Sequence, residues 1–311
     1  MNNFEKERTL FKQLIKKFSN QKLFKEKQHL YSSPSGFTPW KDILGHLFCF
    51  DMVFHEAMKS PNQCDGETSI AAGYAIHHDS PVRHISKNLG EAFLKTSTRG
   101  VIKPPIALEH FIINLPKGLL FDEYDQPVIA LLVMTGECFR KAGARRKVEV
   151  VMDEFDGLWT IGFCDHGDVL MDTTKWGNMG HEEEVTPQSI WFGFDENAKS
   201  KARAASQKMR QIAVHSLLTM AYKPELLSES KPNSSGTGFG GIGKHKQTRN
   251  NVWIGEEFTP KARNRLQSDD REGSPVAPHW RRGHWHTYLT GQKRKEKSLK
   301  WIEPIYVNAA S

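Results

Sequence analysis

The sequence predicts an α+β protein with a helical N-terminal part, a central antiparallel sheet, a long amphipathic helix and a C-terminal β-hairpin module. Three observations support this fold class. Apolar residues recur at steps of three and four near the N-terminus and again in residues 195–227, which is typical of amphipathic helices. Between these parts, short apolar and β-branched runs are separated by turn residues. Near the C-terminus, packing and polar side chains alternate, as in a strand with one buried face.

The N-terminal part is predicted to be helical up to the central sheet. Phe, Leu and Ile line one side of residues 4–31, with Lys and Glu between them. After a Ser/Pro/Gly break, Thr38 followed by Pro39 is typical of a helix start, because Thr caps the first turn and Pro fits the first helical position. A further helix is predicted over residues 80–97, beginning at a Ser-Pro pair.

From residue 101 the helical spacing gives way to short apolar runs bounded by proline, glycine and aspartate. The connections are too short for the helices that join parallel strands, so antiparallel pairing is expected. The runs predicted to be strands are Ile106–Leu115, Val128–Met134, Val148–Met152, Leu158–Phe163 and Val169–Met171.

Acidic residues cluster around the turns of this central sheet. One interpretation is a divalent-metal or acid–base site. The favoured interpretation is that aspartate and glycine occupy turns for backbone reasons. The residues concerned are Asp153, Glu154, Asp156, Asp165, His166, Asp168 and Asp172.

Three domain segments are predicted. Residues 1–227 form an α+β main domain, residues 228–250 a flexible basic Gly/Ser-rich linker, and residues 251–311 a C-terminal β module. The glycines of residues 236–243 are spaced as in a phosphate-binding loop. However, no strand precedes them and no Gly-Lys-Ser/Thr ending follows, so a linker is favoured.

The charge of the chain is unevenly distributed. The net charge is +7, but residues 199–311 hold 21 Lys and Arg against 9 Asp and Glu, a balance of +12. Residues 1–198 hold 22 and 27, a balance of −5. A basic segment of this kind is typical of proteins that bind nucleic acid or an acidic protein surface. The alternative is a solvated or self-associating surface.

The composition also bears on location. No apolar run reaches the roughly 18 residues that span a bilayer, and the charged N-terminus has no signal-peptide pattern. Neither a membrane partner nor secretion is therefore expected, and a cytoplasmic location is predicted. The four cysteines match no CxxC pair or zinc pattern, which indicates unpaired thiols in a reducing compartment.

The C-terminal segment is predicted to form a β-hairpin with two different faces. Alternation over residues 281–289 places Trp285 and Leu289 on the packing side. Residues 298–307 return as the second strand, and the turn between them is an exposed basic tip. The outward side of the first strand carries Arg282, His284, His286 and Tyr288.

This outward side supports a catalytic interpretation. His284 and His286 can act as general base and general acid on RNA, because histidine titrates near neutral pH. Arg282 and Tyr288 are the candidates that assist them, by stabilising phosphate charge and donating hydrogen bonds. The resulting prediction is a metal-independent, ribonuclease-like site.

A binding interpretation uses the same segment. Arginine donates forked hydrogen bonds to phosphate, and aromatic rings stack on unpaired bases. The predicted contacts to RNA or single-stranded DNA are His279, Trp280, Arg281, Lys293, Arg294, Lys295 and Lys300. A zinc site formed by the three histidines is disfavoured by the missing fourth ligand and the adjacent arginines. No metal or cofactor is therefore expected. In a purely structural alternative, the arginines pair with acidic groups such as Glu303 and the tryptophans are core.

The motif HWRRGHWH at residues 279–286, followed by KWIEP at residues 300–304, resembles the C-terminal motif of bacterial proteins carried on mobile elements. It is also similar to accessory toxins of retron toxin–antitoxin systems. The resemblance implies a toxin or anti-phage defence effector that is neutralised by an antitoxin-like partner. It assigns no catalytic residue.

The predicted function is therefore a bacterial toxin or anti-phage defence effector that acts on nucleic acid or the translation machinery and inhibits growth. Two alternatives remain open. One is a non-catalytic nucleic-acid-binding protein of a mobile element, and the other is a protein-interaction module.

Overall fold

The computed structural model confirms the α+β fold class. Helices pack on both faces of a central mixed sheet, and smaller sheets lie at the C-terminal end. The described residues are 3–31, 37, 43–49, 66–106, 108–145, 156–165, 169–178, 196–230, 251–263 and 279–307. The predicted helix start at Thr38 and the predicted strand Val148–Met152 lie outside them.

The described helices follow the predicted order, with additions. They are α1 (Asn3–Phe18), α2 (Lys22–Lys27), α3 (residues 43–49), α4 (Gly66–His77), α5 (Lys87–Leu94), α6 (Gly136–Arg145) and α7 (Glu196–Tyr222). The N-terminal prediction of a single helix is divided into α1 and α2. Helix α6 was not predicted, and Thr135 marks its start, because its hydroxyl accepts a hydrogen bond from the Cys138 N–H at 3.1 Å.

The strands are β1 (Val82–Ile85), β2 (Thr96–Ser97), β3 (His110–Asn114), β4 (Val128–Thr135), β5 (Gly157–Cys164), β6 (Val169–Lys175), β7 (Leu227–Ser230), β8 (Asn251–Ile254), β9 (Lys261–Arg263), β10 (His279–Arg281), β11 (Gly283–Thr290), β12 (Glu296–Ile302) and β13 (Ile305–Val307). Seven of them form the main sheet in the order β6-β5-β4-β3-β1-β8-β7. Strands β3 to β6 are antiparallel, as predicted, whereas β1 pairs in parallel with β3 and with β8.

The single helix predicted over residues 80–97 is wrong, because the segment contains β1, α5 and β2. Strand β1 lies between β3 and β8 in the main sheet. The helix begins only after Ser86, whose hydroxyl accepts a hydrogen bond from the Leu89 N–H at 3.3 Å. A four-residue strand is too short for its periodicity to be distinguished from the start of a helix.

The two faces of the main sheet are covered by different helices. Helix α7 packs on one face, where a Cβ at Gly162 of β5 would lie 2.3 Å from the Met209 sulfur, so glycine permits the close approach. Helices α3, α4 and α6 pack on the other face, where Phe139 stacks on Trp159 at 4.1 Å between ring centroids. Three cysteines, Cys49, Cys138 and Cys164, are buried and are not joined in disulfides, as predicted for them.

Helix α7 also carries a buried ion pair. Arg210 is 4% exposed and donates two hydrogen bonds to Asp172, at 3.0 Å from Nε and 2.7 Å from Nη2. The Thr174 hydroxyl donates to the same carboxylate at 2.9 Å. The sequence analysis placed Asp172 among the acidic turn residues. That expectation is wrong, because the carboxylate pairs with Arg210 inside the core.

The C-terminal hairpin is attached to this core through His215 of α7. The buried Trp285 indole N–H donates to His215 Nδ1 at 3.0 Å, and His215 Nε2 lies 3.1 Å from the Thr96 carbonyl oxygen. The Trp301 N–H donates to the Thr96 hydroxyl at 3.3 Å. Helix α7, β2 and the hairpin are thereby joined through one hydrogen-bonded group.

The predicted linker lies mostly outside the described residues, which omit residues 231–250. The strands on either side of that gap pair with each other, Leu227 opposite Ile254 and Ser230 opposite Asn251. The division of the chain at this linker stays a prediction.

We expect the stability of the fold to depend on the charge of His215. Burial lowers the pKa of this imidazole to about 4, and the hydrogen bond to the Thr96 carbonyl opposes that shift. The unfolded chain, with a pKa near 6.5, therefore binds more protons between those two values. Protonation of His215 on unfolding should therefore lower the free energy of unfolding by roughly 2 kcal/mol between pH 7 and pH 5.

Denaturant unfolding of the wild type and of His215→Gln at both pH values tests this. Glutamine can accept from Trp285 and donate to Thr96, but it does not titrate. The stability difference between the two proteins should therefore shrink as the pH falls. A difference that stays constant from pH 7 to pH 5 would show that His215 does not carry this dependence.

Candidate nucleic-acid interface

The C-terminal strands form a ribbon of two antiparallel pairs, which belong to separate sheets and meet at a bend at residues 282 and 303–304. Strands β10 and β13 pair with His279 opposite Val307, and β11 and β12 pair with His284 opposite Ile302. These two pairings belong to the same antiparallel register, so no residue is inserted or lost at the bend. A Cβ at Gly283 would lie 2.8 Å from the Pro304 ring and 2.7 Å from the Thr96 hydroxyl. Glycine is therefore required where the ribbon bends against β2.

The predicted alternation of the ribbon is present. Trp285 is buried, whereas His284, His286 and Tyr288 are exposed. Leu289 was predicted to pack inward and is 52% exposed, so that expectation is wrong. The reason is that the end of the strand extends beyond the core, so its inward-facing residue has no core residues to pack against.

The exposed side of the ribbon, here called the hairpin face, combines both strands. Opposite residues share a face in an antiparallel pair, and His286 faces Lys300 while Tyr288 faces Ser298. The hairpin face is defined by Arg282, His284, His286, Tyr288, Ser298, Lys300 and Ile302. All four residues predicted to be catalytic therefore lie on it, and their catalytic roles stay predictions.

The tip of the ribbon is cationic. The connection contains a 3₁₀ turn at Gln292–Arg294, in which Lys293 and Arg294 have φ angles of 60° and 54°. Gly291 before them has a φ of 75°, so the backbone reverses in the left-handed region. Four exposed side chains make up this basic tip, namely Lys293, Arg294, Lys295 and Lys297.

The charge of the whole ribbon is strongly positive. Residues 279–300 contain seven Lys and Arg and a single acidic residue, Glu296. Arg281 and Arg282 are exposed. Glu303, which the sequence offered as their partner, forms its ion pair with Lys261 of β9 at 3.1 Å. The two guanidinium groups are thus presented at the surface beside the bend.

The acidic residues of the central turns have other partners. Asp156 pairs with Lys103, and Asp172 with Arg210. Asp153, Glu154, His166 and Asp168 lie outside the described residues. Within the part of the chain that the structure describes, no group of three or more His, Cys, Asp or Glu is arranged to hold a metal ion. The same residues include no helix long and apolar enough to cross a membrane.

Three residues of the interface were missed by the sequence predictions. His215 and Thr96 hold the ribbon in place, although they lie 119 residues apart in the chain. Tyr306 lies directly opposite Trp280 on the ribbon. The signal for Tyr306 was the alternation of the returning strand, whereas a histidine in an apolar helix carries no mark of its partners.

Comparison with known proteins identifies a family. The model of the family described as "AcrVA2-like: Anti-CRISPR type V subtype A2 family" matches residues 86–309. No curated protein and no solved structure matches the chain. The match overturns the predicted toxin, toxin–antitoxin or antiviral-defence role, because anti-CRISPR proteins inhibit CRISPR–Cas defence. Since the matched segment covers more than two thirds of the chain and includes the entire ribbon, the protein belongs to the AcrVA2-like family.

Proposed function

We propose that this protein counteracts a type V CRISPR–Cas system by binding, and that the ribbon is its contact to the nucleic acid of that system. The family match is the observation that carries the first part of the proposal. The exposed positive charge of residues 279–300 supports the second part. A cytoplasmic site of action, as the sequence predicts, belongs to the same proposal.

The electrostatics of the ribbon favour a polyanion. Each Lys or Arg that neutralises a phosphate releases a condensed counterion. The entropy of this release favours binding of a phosphate chain by several closely spaced cations. Arg281 and Arg282 add forked donors that match phosphate oxygens. An acidic protein surface also attracts cations, but it lacks the dense, regular charge of a nucleic-acid backbone.

The packing of the ribbon favours recognition by a preformed surface. Its inward side is held by the Trp285–His215 and Trp301–Thr96 hydrogen bonds inside the main core. Side chains on the hairpin face therefore start from a backbone that is already ordered. A preorganised backbone loses less entropy on binding, which strengthens the complex.

We expect the basic tip to be needed for inhibition. In bacteria that carry an active type V system, expression of the wild-type protein should raise the yield of a phage that the system targets. The triple change Lys293→Ala, Arg294→Ala and Lys295→Ala should remove most of this rescue, because it removes three exposed cations from the proposed contact.

A matched control tests whether position or total charge matters. Lys12, Lys16 and Lys25 are exposed and lie outside the matched segment, and their change to alanine removes the same charge. This control should rescue the phage as well as the wild type does. Failure of the wild-type protein to rescue, with its expression confirmed, would contradict the proposed inhibition. Equal rescue by the tip variant would contradict the role of the ribbon.

The affinity for RNA is expected to fall steeply with salt. For a single strand, the slope of log K against log salt concentration is about −0.7 for each neutralised phosphate. Removing the three tip cations should therefore make the slope shallower by about 2 units. Fluorescence anisotropy with a labelled, unstructured RNA at several salt concentrations measures both slopes. If the tip variant and the Lys12, Lys16 and Lys25 control variant both kept the slope of the wild type, the proposed contact of the tip with RNA would be refuted.

A further inference from the structure

An aromatic pair lies at the end of the ribbon farthest from the basic tip. Trp280 of β10 and Tyr306 of β13 are direct partners in the register, and their ring centroids are 5.2 Å apart with an interplanar angle of 51°. Both side chains are only half-buried. On the other side of Tyr306, its partner on β9 is the exposed Ala262, which has no side chain long enough to cover the ring. Aromatic surface therefore stays accessible at this point.

The pair lies on the same ribbon as the cationic and polar residues of the hairpin face, on the other side of the bend. The same antiparallel register holds on both sides of the bend, and Trp280 is followed along the chain by the exposed Arg282, His284, His286 and Tyr288. From Trp280 to Tyr288 the backbone advances roughly 26 Å, at about 3.3 Å for each residue. Aromatic rings thus lie at both ends of a strip with Arg282 and Lys300 between them.

We propose that this strip binds an unpaired nucleic-acid strand, with a base stacked on the Trp280–Tyr306 pair and the adjoining phosphates held by Arg282 and Lys300. The inference rests on the proposed nucleic-acid contact and names its form. Stacking on an aromatic ring needs an exposed base face, which a single strand offers and a duplex hides. Against a continuous duplex the aromatic pair would have no exposed base to stack on.

The neighbouring strands argue against the main way in which β-ribbons bind duplexes. A two-stranded ribbon can enter a major groove about 12 Å wide. Here β2 pairs with Gly283 and His284 of β11, and β9 pairs with β13, so the ribbon is three strands wide on both sides of the bend. The inward side is also occupied by Trp285 and Trp301 against the core. The ribbon therefore has one accessible face, along which a single nucleic-acid strand can bind.

The test compares ligands and variants by fluorescence anisotropy. The probes are a labelled, unstructured RNA, a DNA of the same sequence, and each of them annealed to its complement. The wild-type protein should bind the single strands more tightly than the duplexes. Trp280→Ala should weaken single-strand binding by roughly 5- to 100-fold, the effect of losing one stacked base. The duplex affinity should change little.

Conservative and matched variants separate stacking from folding. Trp280→Phe and Tyr306→Phe keep a ring and should bind nearly as the wild type does, whereas Trp280→Leu keeps apolar volume without a ring and should bind as Trp280→Ala does. Tyr124→Ala removes an aromatic that is 46% exposed on the loop before β4 and should have no effect. Thermal unfolding of each variant confirms that it is folded at the assay temperature.

The outcomes distinguish this inference from the proposal beneath it. If Trp280→Leu binds single strands like the wild type while the basic-tip variant binds weakly, the stacking inference is overturned and the nucleic-acid contact stands. Equal affinity of the wild type for duplex and single strand also overturns it. If the wild type binds none of the four probes, the nucleic-acid contact itself fails and the stacking inference fails with it.

Discussion

The hydrogen bond from the Trp285 indole to His215 is the contact on which the arrangement of the C-terminal ribbon depends. An indole N–H only donates, so His215 Nδ1 must accept, and its proton must reside on Nε2, directed at the Thr96 carbonyl. The imidazole is therefore neutral, in agreement with a pKa of about 4 caused by burial. One uncharged ring in this way connects α7, β2 and β11, which are distant in sequence. A charged ring at this position would lose the acceptor that orients Trp285.

Because side chains alternate along each strand, this buried contact determines which residues of the ribbon are exposed. With Trp285 and Trp301 held inward and their rings stacked at 6.0 Å, the residues next to them along each strand face outward. His284, His286 and Lys300 are exposed for that reason, and not because of any chemistry of their own. Beyond the bend the same register continues to Trp280 and Tyr306, which are half-buried. The core contact therefore determines which side chains a partner can reach.

Much of this surface could be predicted from the sequence, because strand alternation is a local property. The exposed histidines, the basic tip and the long α7 helix all followed from local patterns. The partners of Arg210 and Trp285 could not be predicted, because Asp172 and His215 are brought to them only by tertiary packing. Strand β1 was missed because four residues hold too little periodicity, and its parallel neighbours come from distant segments. The predicted toxin role was wrong because a short motif and a positive charge indicate an anionic partner but not the biological purpose of binding it.

The two sides of the ribbon carry separate tasks. Gly283, Trp285 and Trp301 maintain the bend and the attachment to the core, so changes at these positions disturb the fold before they disturb a contact. The side chains of the hairpin face do not form the hydrogen bonds that attach the ribbon to the core. Surface substitutions away from buried features usually change stability by less than about 0.5 kcal/mol. Residues on that face can therefore be exchanged without refolding the ribbon. A surface built in this way can be adapted to a different partner by changing alternate residues alone, while the hydrogen bonds of the inward side preserve its shape.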